Sequence, residues 1–466
     1  MRDHRDVAVV GVGVLGLATA FELLSRGMTV TLIGPRGGDH DGQATRAAGA
    51  MLSTFSEIEP HHDEQRVTVE TTERLAAHEM YPAWLETIGG HASRRLVPEP
   101  GTWVLAPAGR RAWLDPIAAA ARAAEHPAEA HDAADIPGLV VPQTSAGALW
   151  LPTEARIDSA ALMEALASAI AAHPRSEWLD TQAAAIAPGR ISCSNGTQVR
   201  TGETILAAGA AIPALLPEAG RPIGVPPILA GRGVSALLHA PAIASPHVVR
   251  TPNAAFACGV HLVPRVDGTL YLGGTNRLTM HPQSDRRASL DELGVLIGDA
   301  TGLLDYRLGG AELVSPRVGL RPYTLDHLPL IGRTRDRSLL LATATYRCGV
   351  LLAPRLASLI ADEVTAPGTL EDHPYRVLRP MPVPDVDAVI AGGAAHGLVE
   401  HLLQGGGHLP PSAEAQLGAF TALALRALLT EGPGGDAAMR RLWQAASVPE
   451  VIPSLLAMAR RSQAVR

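Results

Sequence analysis

The stretch VAVVGVGVLGLATAFELLSRGMTVTLIG, residues 7–34, decides the fold of this chain. Val7 to Val10 form an apolar run that predicts a buried strand, and Met28 to Ile33 predict a second strand after an intervening helix. Between them stands the pattern G-x-G-x-x-G, which begins at Gly11. The order strand, glycine turn, helix and strand is typical of a parallel sheet that binds a dinucleotide. The sequence therefore predicts an α/β fold.

The three glycines of the motif have separate tasks. Gly11 allows the tight turn, Gly13 lets the backbone approach a pyrophosphate, and Gly16 lets helix and strand pack closely. The pyrophosphate is expected at the helix N-terminus, at Val14 and Leu15, where free N–H groups and the helix dipole favour an anion.

Two questions about this segment allow alternative interpretations. A signal peptide or membrane helix is disfavoured, because Glu22 interrupts the apolar run and no small-residue cleavage site follows. The second question concerns the nucleotide: an Asp or Glu usually ends the second strand and binds the ribose, but this chain has Gly34 there. Arg36 is compatible with a 2′-phosphate and NADP, and the lost acid is equally compatible with an FAD site.

The composition excludes several classes of protein. The 466 residues are enough for two or three domains, and the net charge of −7 argues against a nucleic-acid partner. The chain has no lysine, which excludes Walker-A ATPases, pyridoxal-phosphate Schiff bases and lysine-based activation of dioxygen. The three cysteines lack metal-site spacing and fit a reduced cytoplasm, and no later apolar run is long enough to span a bilayer. No metal site is expected, because the adjacent His61, His62, Asp63 and Glu64 rarely converge on one ion.

Periodicity and turn signals predict the elements that follow the first strand pair. Asp158 is the expected N-cap of a helix, and Asp267-Gly268 the expected turn of a hairpin. The predicted elements are helices at 67–85, 114–124 and 157–173, a short buried strand at 203–210, a hairpin at 259–275, and a strand, loop and helix at 339–364. After a proline-rich linker, residues 385–466 are predicted to form a helical appendage.

Two further stretches, GLRPYTLDHLPLIG from Gly319 and ATYRCGVLLAP from Ala344, carry a resemblance. With ATRAAGAML, ILAAGA and HLVPRVDGTLYLGGT in the same order, the chain resembles the D-amino-acid-oxidase-like flavoenzymes, most closely the glycine oxidases. The resemblance spans roughly residues 5–365 and implies an FAD-binding, Rossmann-like domain interleaved with an antiparallel-sheet substrate domain. It places the FAD domain at 1–85, 145–215 and 315–375, and the substrate domain at 86–144 and 216–314.

The resemblance also implies site residues. Arg321 stands where the family has the arginine that binds the substrate carboxylate, beside the flavin, and Arg347 is either a substrate contact or a support for the backbone. His261 replaces a tyrosine of the family pattern and is expected to donate to the carboxylate or to take a proton near neutral pH, the alternative being a packed residue of the hairpin. Tyr346 is expected in the pocket, and Tyr323 either there or in the core. The expected cofactor contacts are Gly11, Gly13, Val14, Leu15, Gly16, Ala48, Gly49, Met51, Gly209, Arg321, Gly349, Val350 and Leu351.

The resemblance implies FAD as the cofactor, although Gly34 stands where the family has a Glu. Asp39 or Asp41 could replace that acid, and Gly34→Glu is expected to tighten FAD binding. Non-covalent flavin is expected, because the histidine that tethers FAD in some relatives is Arg46 here, and Cys348 is expected to be a small core residue.

The function implied is oxidation of the C–N bond of glycine, an N-substituted glycine or a small D-amino acid, with dioxygen or another electron acceptor. The alternatives are a natural-product tailoring enzyme acting on a larger N-carboxymethyl amine or hydrazine, an NADP-dependent dehydrogenase, and a non-catalytic flavin-fold binding protein. We expect a cytoplasmic protein without a membrane span, and a homo-oligomer is possible.

Overall fold

The computed structural model describes residues 5–37, 42–59, 64–216, 224–226, 228–253, 258–279, 286–324 and 326–380. The predicted helical appendage at 385–466 lies outside these residues. So do Asp39 and Asp41, the candidates for the ribose-binding acid, and His61, His62 and Asp63 of the acidic, histidine-containing loop. None of the described helices is both long and apolar enough to cross a membrane.

The described chain alternates strands and helices. The strands are β1 Arg5–Val10, β2 Val30–Ile33, β3 Gly42–Gln43, β4 Met51–Leu52, β5 Glu99–Ala106, β6 Glu129–His131, β7 Gly147–Arg156, β8 Ser176–Leu179, β9 Ala183–Ala187, β10 Arg190–Cys193, β11 Gln198–Leu206, β12 Leu229–His239, β13 Val248–Arg250, β14 His261–Pro264, β15 Leu270–Gly273, β16 Arg277–Thr279, β17 Glu312–Tyr323, β18 Leu330–Arg333 and β19 Leu340–Thr343. The helices are α1 Val14–Ser25, α2 Ala44–Ala47, α3 Glu64–Gly89, α4 Asp115–Ala123, α5 Ser159–Ala172, α6 Ile212–Leu215, α7 Leu290–Asp299 and α8 Gly349–Thr365.

The first sheet has the strand order β18-β19-β11-β1-β2-β8 and is mostly parallel. Strand β1 lies between β2 and β11, and its residues Val7 to Val10 are buried on both faces. That double burial explains why the strand reads as a continuous apolar run. Helices α1, α3, α5 and α8 share one core cluster against this sheet, while the β9–β10 ribbon and α6 contribute to the cluster on its other face.

The second sheet is mostly antiparallel and contains the long pair β12 and β17. Its main path is β3-β17-β12-β15-β14-β13-β5-β7-β4. The hairpin of β14 and β15 turns at Asp267 and Gly268, as predicted. The two sheets together confirm the predicted α/β class with a separate antiparallel sheet.

Sheet membership differs from the predicted domain boundaries at four strands, because β3 and β4, within 1–85, also belong to the second sheet. Strand β7 begins at Gly147 and β17 ends at Tyr323, and both belong to the second sheet. The sequence assigned 145–215 and 315–375 to the FAD domain, so β7 lies wholly within an FAD segment and the boundary at 315 cuts through β17. Each strand carries the chain from one sheet toward the other without a break, which a boundary placed by motif alone does not detect.

The predicted elements otherwise agree with the structure, with shifted ends. The Asp158 carboxylate accepts a hydrogen bond from Ala161 N at 2.9 Å, as expected of an N-cap for α5. The strand predicted at 203–210 ends at Leu206, because the chain turns at Gly209, whose φ is +57°. The helix predicted from residue 114 begins as a 3-10 turn and becomes α-helical at Asp115.

Candidate active site

A cavity of about 570 Å³ runs from the glycine turn after β1 to the start of α8. Side chains of the second sheet, among them His261 and Arg321, line its far wall. We call the part at the glycine turn the cofactor end, and the part at Glu57, Arg250, His261, Arg321, Tyr346 and Arg347 the substrate end. The cofactor end opens at the carboxyl edge of parallel strands, where sheets of this class bind nucleotides.

The glycine turn is shaped as the motif predicts. Gly11 has a φ of +120°, and a Cβ there would lie 2.4 Å from the carbonyl oxygen of Ala207. A Cβ on Gly16 would lie 2.1 Å from the carbonyl oxygen of Gly11. Gly13 is different, because the nearest atom to its Cβ position is Thr45 Oγ1 at 3.7 Å. Gly11 and Gly16 are therefore required by packing, and Gly13 leaves open the space that a pyrophosphate needs.

The N-terminus of α1 faces the same space. Its N-cap is Gly13, which offers no side chain to the first helical N–H groups, although Val14 N donates to Thr45 Oγ1 at 3.2 Å. Val14 and Leu15 line the cavity, as predicted. Gly16 does not line the cavity and packs against the Gly11 carbonyl, and its contact with a cofactor remains a prediction. Thr45 is a cavity residue that the sequence analysis missed.

The end of β2 shows why an acid is absent at Gly34. A Cβ on Gly34 would lie 2.6 Å from Val12 Cγ1, so the Val12 side chain occupies the space of an acidic residue. Trp178 Nε1 donates to the Gly34 carbonyl at 2.9 Å. Gly34→Glu alone therefore meets a steric obstacle, which argues against the prediction that it tightens FAD binding.

Arg36 does not face a 2′-phosphate site. Its guanidinium lies over the Trp178 ring at 5.1 Å, and its backbone N–H donates to Asp180 Oδ1 at 2.9 Å. Arg36 is absent from the cavity wall, whereas Gly34 and Pro35 are part of it. The NADP alternative thus loses the residue on which it rested.

A glutamine beside the glycine turn has an unsatisfied acceptor. Gln43 Nε2 donates to the Val12 carbonyl at 3.1 Å, which fixes the orientation of the amide, and Gln43 Oε1 is buried without a hydrogen-bond partner in the described part of the chain. A hydroxyl group of a bound dinucleotide could donate a hydrogen bond to this unpaired acceptor. The acceptor beside the glycine turn therefore fits a dinucleotide site better than an empty apolar cleft.

The remaining predicted cofactor contacts lie on the cavity wall. Gly349 begins α8, whose N-cap Cys348 makes no side-chain hydrogen bond to the helix. Burial raises the pKa of the Cys348 thiol to about 11, so it is an unreactive thiol, although it does reach the wall. The predicted residues found on the wall are Gly11, Gly13, Val14, Leu15, Ala48, Gly49, Met51, Gly209, Arg321, Gly349, Val350 and Leu351.

Arg321 projects from β17 into the cavity between glycines. Its Nη1 donates to the Thr275 carbonyl at 2.9 Å and to Asn276 Oδ1 at 3.1 Å. A Cβ on Gly233 of β12 would lie 2.1 Å from Arg321 Nη1, so the absence of a side chain there lets the guanidinium lie against the sheet. Within the described residues, its hydrogen bonds go only to neutral oxygens.

His261 is neutral and presents a lone pair. Burial and the nearby Arg250 lower its pKa to about 4, against an ordinary value of 6.5. A carbonyl can only accept, so the 2.8 Å contact with Gly259 O places the proton on Nδ1 and leaves Nε2 as an acceptor. This corrects the expectation that His261 donates to a carboxylate or takes a proton near neutral pH.

A buried ion-pair network forms the floor of the substrate end. Glu57 Oε1 lies 2.5 Å from Arg250 Nη1, and Asn253 bonds to both side chains, at 2.8 Å to Glu57 Oε2 and 2.6 Å to Arg250 Nη2. Burial alone would raise the pKa of Glu57, but Arg250 and Arg347 outweigh it and hold that pKa far below its usual range. Glu57 is therefore an anion at every working pH.

Arg347 belongs to the same network. Its Nη2 lies 2.5 Å from Glu59 Oε1, its Nη1 lies 3.7 Å from Glu57 Oε2, and its Cζ lies 4.5 Å from the centre of the Tyr346 ring. Arg347 reaches the cavity, but two carboxylates already neutralise it. Its role as a substrate contact remains a prediction.

The two tyrosines divide between cavity and core. Tyr346 lines the cavity, and its hydroxyl accepts from Asn276 Nδ2 at 2.6 Å, which links it to Arg321 through one amide. Tyr323 is 1% exposed and packs 5.2 Å from Tyr346, behind the wall. Tyr323 is thus in the core, the second of its two predicted places.

Sequence reasoning missed Glu57, Arg250 and Asn253. The local sequence offered little signal, because Glu57 and Glu59 begin the charged stretch EIEPHHDEQR, and charged residues are mostly exposed. The partner Arg250 is almost 200 positions away along the chain, and nothing local links the two. Among the described residues, no group of three or more His, Cys, Asp or Glu is placed to hold a metal ion.

Curated proteins of known function resemble this chain in sequence. Curated relatives include a glycine oxidase of Geobacillus kaustophilus, 26% identical over 81% of this chain and 98% of that protein. They also include a bifunctional ThiO/ThiG protein of Trichormus variabilis, 27% identical over 77% of this chain and 52% of that protein. The chain thus spans about half the length of the bifunctional relatives.

Solved structures share the fold. The glycine oxidase of Geobacillus kaustophilus superposes with a TM-score of 0.70 at 25% identity, over 82% of this chain and all of that one. An iminodiacetate oxidase from Chelativorans sp. BNC1 gives 0.65 at 21% identity, over 80% of this chain and all of that one. The family described as FAD dependent oxidoreductase, DAO, matches residues 6–363. The chain therefore belongs to the DAO family of FAD-dependent oxidoreductases.

Proposed function

We propose that this chain oxidises the C–N bond of a small amino acid: glycine, an N-substituted glycine or a small D-amino acid. FAD, when bound, supplies the acceptor for the hydride that leaves the carbon beside the nitrogen. The resulting imine hydrolyses to an oxo acid and an amine. The observation that carries the proposal is Arg321, an arginine in the cavity whose described hydrogen-bond partners are all neutral.

The chain's own residues fit the cofactor. Gly13 and the first turn of α1 leave room and N–H donors for a pyrophosphate. Gly349 at the start of α8 directs the positive end of a second helix dipole into the same cavity. A positive dipole end favours extra electron density on whatever ring lies against it, and so supports acceptance of a hydride.

Arg321 supplies the anchor for a carboxylate. A planar guanidinium pairs with a carboxylate through two parallel N–H···O bonds. Thr275 and Asn276 hold Nη1 of Arg321, and no hydrogen bond from its Nε or Nη2 occurs within the described residues. Nη1 is thereby fixed in position, and the Nε and Nη2 donors of the guanidinium remain for a substrate. A fixed anchor sets the orientation of the carbon that reacts.

His261 orients the amine. Its Nε2 lone pair accepts a hydrogen bond from a substrate N–H, and its low pKa keeps the ring neutral, so that it does not repel or protonate the amine. The Tyr271 ring stacks on it, with centroids 5.7 Å apart, and fixes its plane. In this proposal Arg321 and His261 bind opposite ends of the same amino acid.

The names of the relatives support the same chemistry. Glycine oxidases occur among the curated relatives, and an iminodiacetate oxidase and an L-proline dehydrogenase occur among the fold neighbours. Oxidases and dehydrogenases share this fold, so dioxygen or another acceptor can reoxidise the flavin. Non-covalent attachment of FAD and a homo-oligomeric state remain predictions.

Anaerobic mixing of the holoenzyme with candidate substrates tests the proposal. We expect loss of the oxidised-flavin absorbance with glycine, sarcosine or a small D-amino acid. Reduction only by a larger N-carboxymethyl amine or hydrazine would favour the tailoring alternative. A flavin that no amine reduces would overturn the proposal in favour of a non-catalytic binding protein.

A further inference from the structure

The charges at the substrate end are unequally compensated. Arg250 and Arg347 each have a carboxylate at 2.5 Å, from Glu57 and Glu59 respectively. Arg321 has only the neutral Thr275 carbonyl and Asn276 amide as described hydrogen-bond partners. Three cations and two anions therefore leave one positive charge uncompensated in the described site, and it lies on Arg321.

The neutralised arginine–glutamate pairs are buried, so each of their charges acts strongly on a bound substrate. Arg250 is 1% exposed, and the side chains of Glu57 and Arg347 are 7% and 9% exposed. Water screens charges poorly at such depth. A second anion near Glu57 would face a fixed negative charge. The charges of Arg250 and Arg347 are already balanced there, although Arg347 Nη1 has no hydrogen-bond partner among the described residues.

The uncompensated cation and the compensated pairs lie on either side of the same small space. Tyr346 packs against Arg347 at 4.5 Å and connects through Asn276 to Arg321. His261 lies close enough to Glu57, Arg250 and Arg321 to feel the charge of all three. A substrate with one carboxylate on Arg321 thus directs its other end toward His261 and Glu57.

We propose that Glu57 and Glu59 restrict the site to substrates with a single carboxylate, because they neutralise the charges of Arg250 and Arg347 and leave Arg321 as the uncompensated cation of the described site. A second carboxylate on the nitrogen substituent is rejected by charge, and a neutral group of the same size is accepted. The inference rests on the proposed function for the identity of the substrate. The rejection of a second carboxylate, which we call the charge rule, concerns binding and is testable without turnover.

The binding test uses the holoenzyme and two small acids of nearly equal size. Malonate carries two carboxylates, and malonamate has a neutral amide in place of one. Dissociation constants are measured from the perturbation of the flavin absorbance. We expect malonamate to bind at least about 100-fold more tightly, because like charges at a buried site are strongly disfavoured. Equal affinities would overturn the proposal.

The turnover test compares sarcosine, iminodiacetate and iminodiacetate monoamide under anaerobic conditions. The monoamide is expected to reduce the flavin within about tenfold of sarcosine, and iminodiacetate at least about 100-fold more slowly than the monoamide. Iminodiacetate matching its monoamide would overturn the charge rule. If none of the three reduces the flavin, the proposed function fails, and the ratio for malonate and malonamate still decides this inference.

A variant tests whether Glu59 contributes to the rejection of a second carboxylate. Glu59→Gln removes the carboxylate from Arg347 Nη2, so the affinity ratio of malonamate to malonate should fall about tenfold. Glu203→Gln is the matched control, since Glu203 pairs with Arg333 at 2.9 Å and neither residue lines the cavity. An unchanged ratio in flavin-loaded Glu59→Gln overturns the role of Glu59. If that variant does not retain flavin, the malonate and malonamate affinities of the parent protein still decide the charge rule.

Discussion

At the cofactor end of the cavity the chain uses backbone groups from one continuous turn, whereas at the substrate end it uses side chains from several separate elements. Gly11 to Leu15 provide the open turn and the helix N-terminus, and Thr45 and Gln43 bond to the backbone of this turn. Glu57, Arg250 and Arg321 come from the segment after β4, from β13 and from β17. The first arrangement depends mainly on the backbone of one turn. The second depends on each charge keeping its partner.

The largest effect is expected from the glycine turn itself. Gly13→Val places a branched side chain where the pyrophosphate lies, so the affinity for FAD should fall by at least about 100-fold while the apoprotein still folds. Folding should survive, because the φ of Gly13 is −74° and its Cβ has no neighbour closer than 3.7 Å. Flavin content and circular dichroism measure the two properties separately.

The matched variant Gly16→Val separates packing from binding. Its Cβ would lie 2.1 Å from the Gly11 carbonyl oxygen, so this variant should fail to fold. Full flavin retention in Gly13→Val would remove the pyrophosphate from this turn. A stable Gly16→Val protein would show that the helix can move away from β1.

The second effect concerns the substrate end. Arg321→Ala removes the carboxylate anchor, which typically costs about 2–5 kcal/mol, so kcat/KM for an amino acid should fall by about 100-fold or more. Flavin content should change little. Arg321→Lys should recover only part of the activity, because an ammonium cannot make the planar two-point contact.

An amine without a carboxylate serves as the control for Arg321. It should be a poor substrate for the parent protein and should lose little more in Arg321→Ala. Equal losses for both kinds of substrate would assign Arg321 to the scaffold and remove the main support for an amino-acid substrate.

The contrast between the two ends explains what the sequence could predict. The cofactor end rests on glycine spacing and strand order, which are local, so the sequence could predict that Gly11 and Gly13 form an open turn. The partners of Arg347 and the Arg250–Glu57 pair arise from contacts across about 200 or more positions, which no local pattern encodes. The same limit applies to His261, since its tautomer depends on the Gly259 carbonyl and its pKa on burial.

The third prediction concerns pH and His261. The pKa is about 4 in the folded protein and 6.5 ordinarily, so the unfolded chain binds the extra proton more readily. The contribution of His261 to stability is therefore complete above pH 6.5 and is lost as the pH falls toward 4, by about 3 kcal/mol in all. Chemical denaturation of flavin-saturated protein across this range should show a shallower pH dependence for His261→Gln. Parallel curves for the two proteins would mean that His261 is charged or hydrated in the native state.

The smallest effect tests whether the ribose acid can be restored at the cofactor end. The Val12 side chain lies 2.6 Å from the Cβ position of Gly34, so Gly34→Glu alone should weaken FAD binding or destabilise the protein. Val12→Gly combined with Gly34→Glu frees the space and offers a carboxylate to the ribose hydroxyls. Such a hydrogen bond contributes roughly 1–3 kcal/mol, so the double variant should bind FAD about tenfold more tightly than Val12→Gly. Flavin fluorescence on reconstitution of the apoproteins gives the four dissociation constants of the cycle.

Tighter binding by Gly34→Glu alone would show that Val12 can move aside. A double variant with no gain would assign the ribose to another group, for which Gln43, with its unpartnered Oε1 beside the turn, is a candidate.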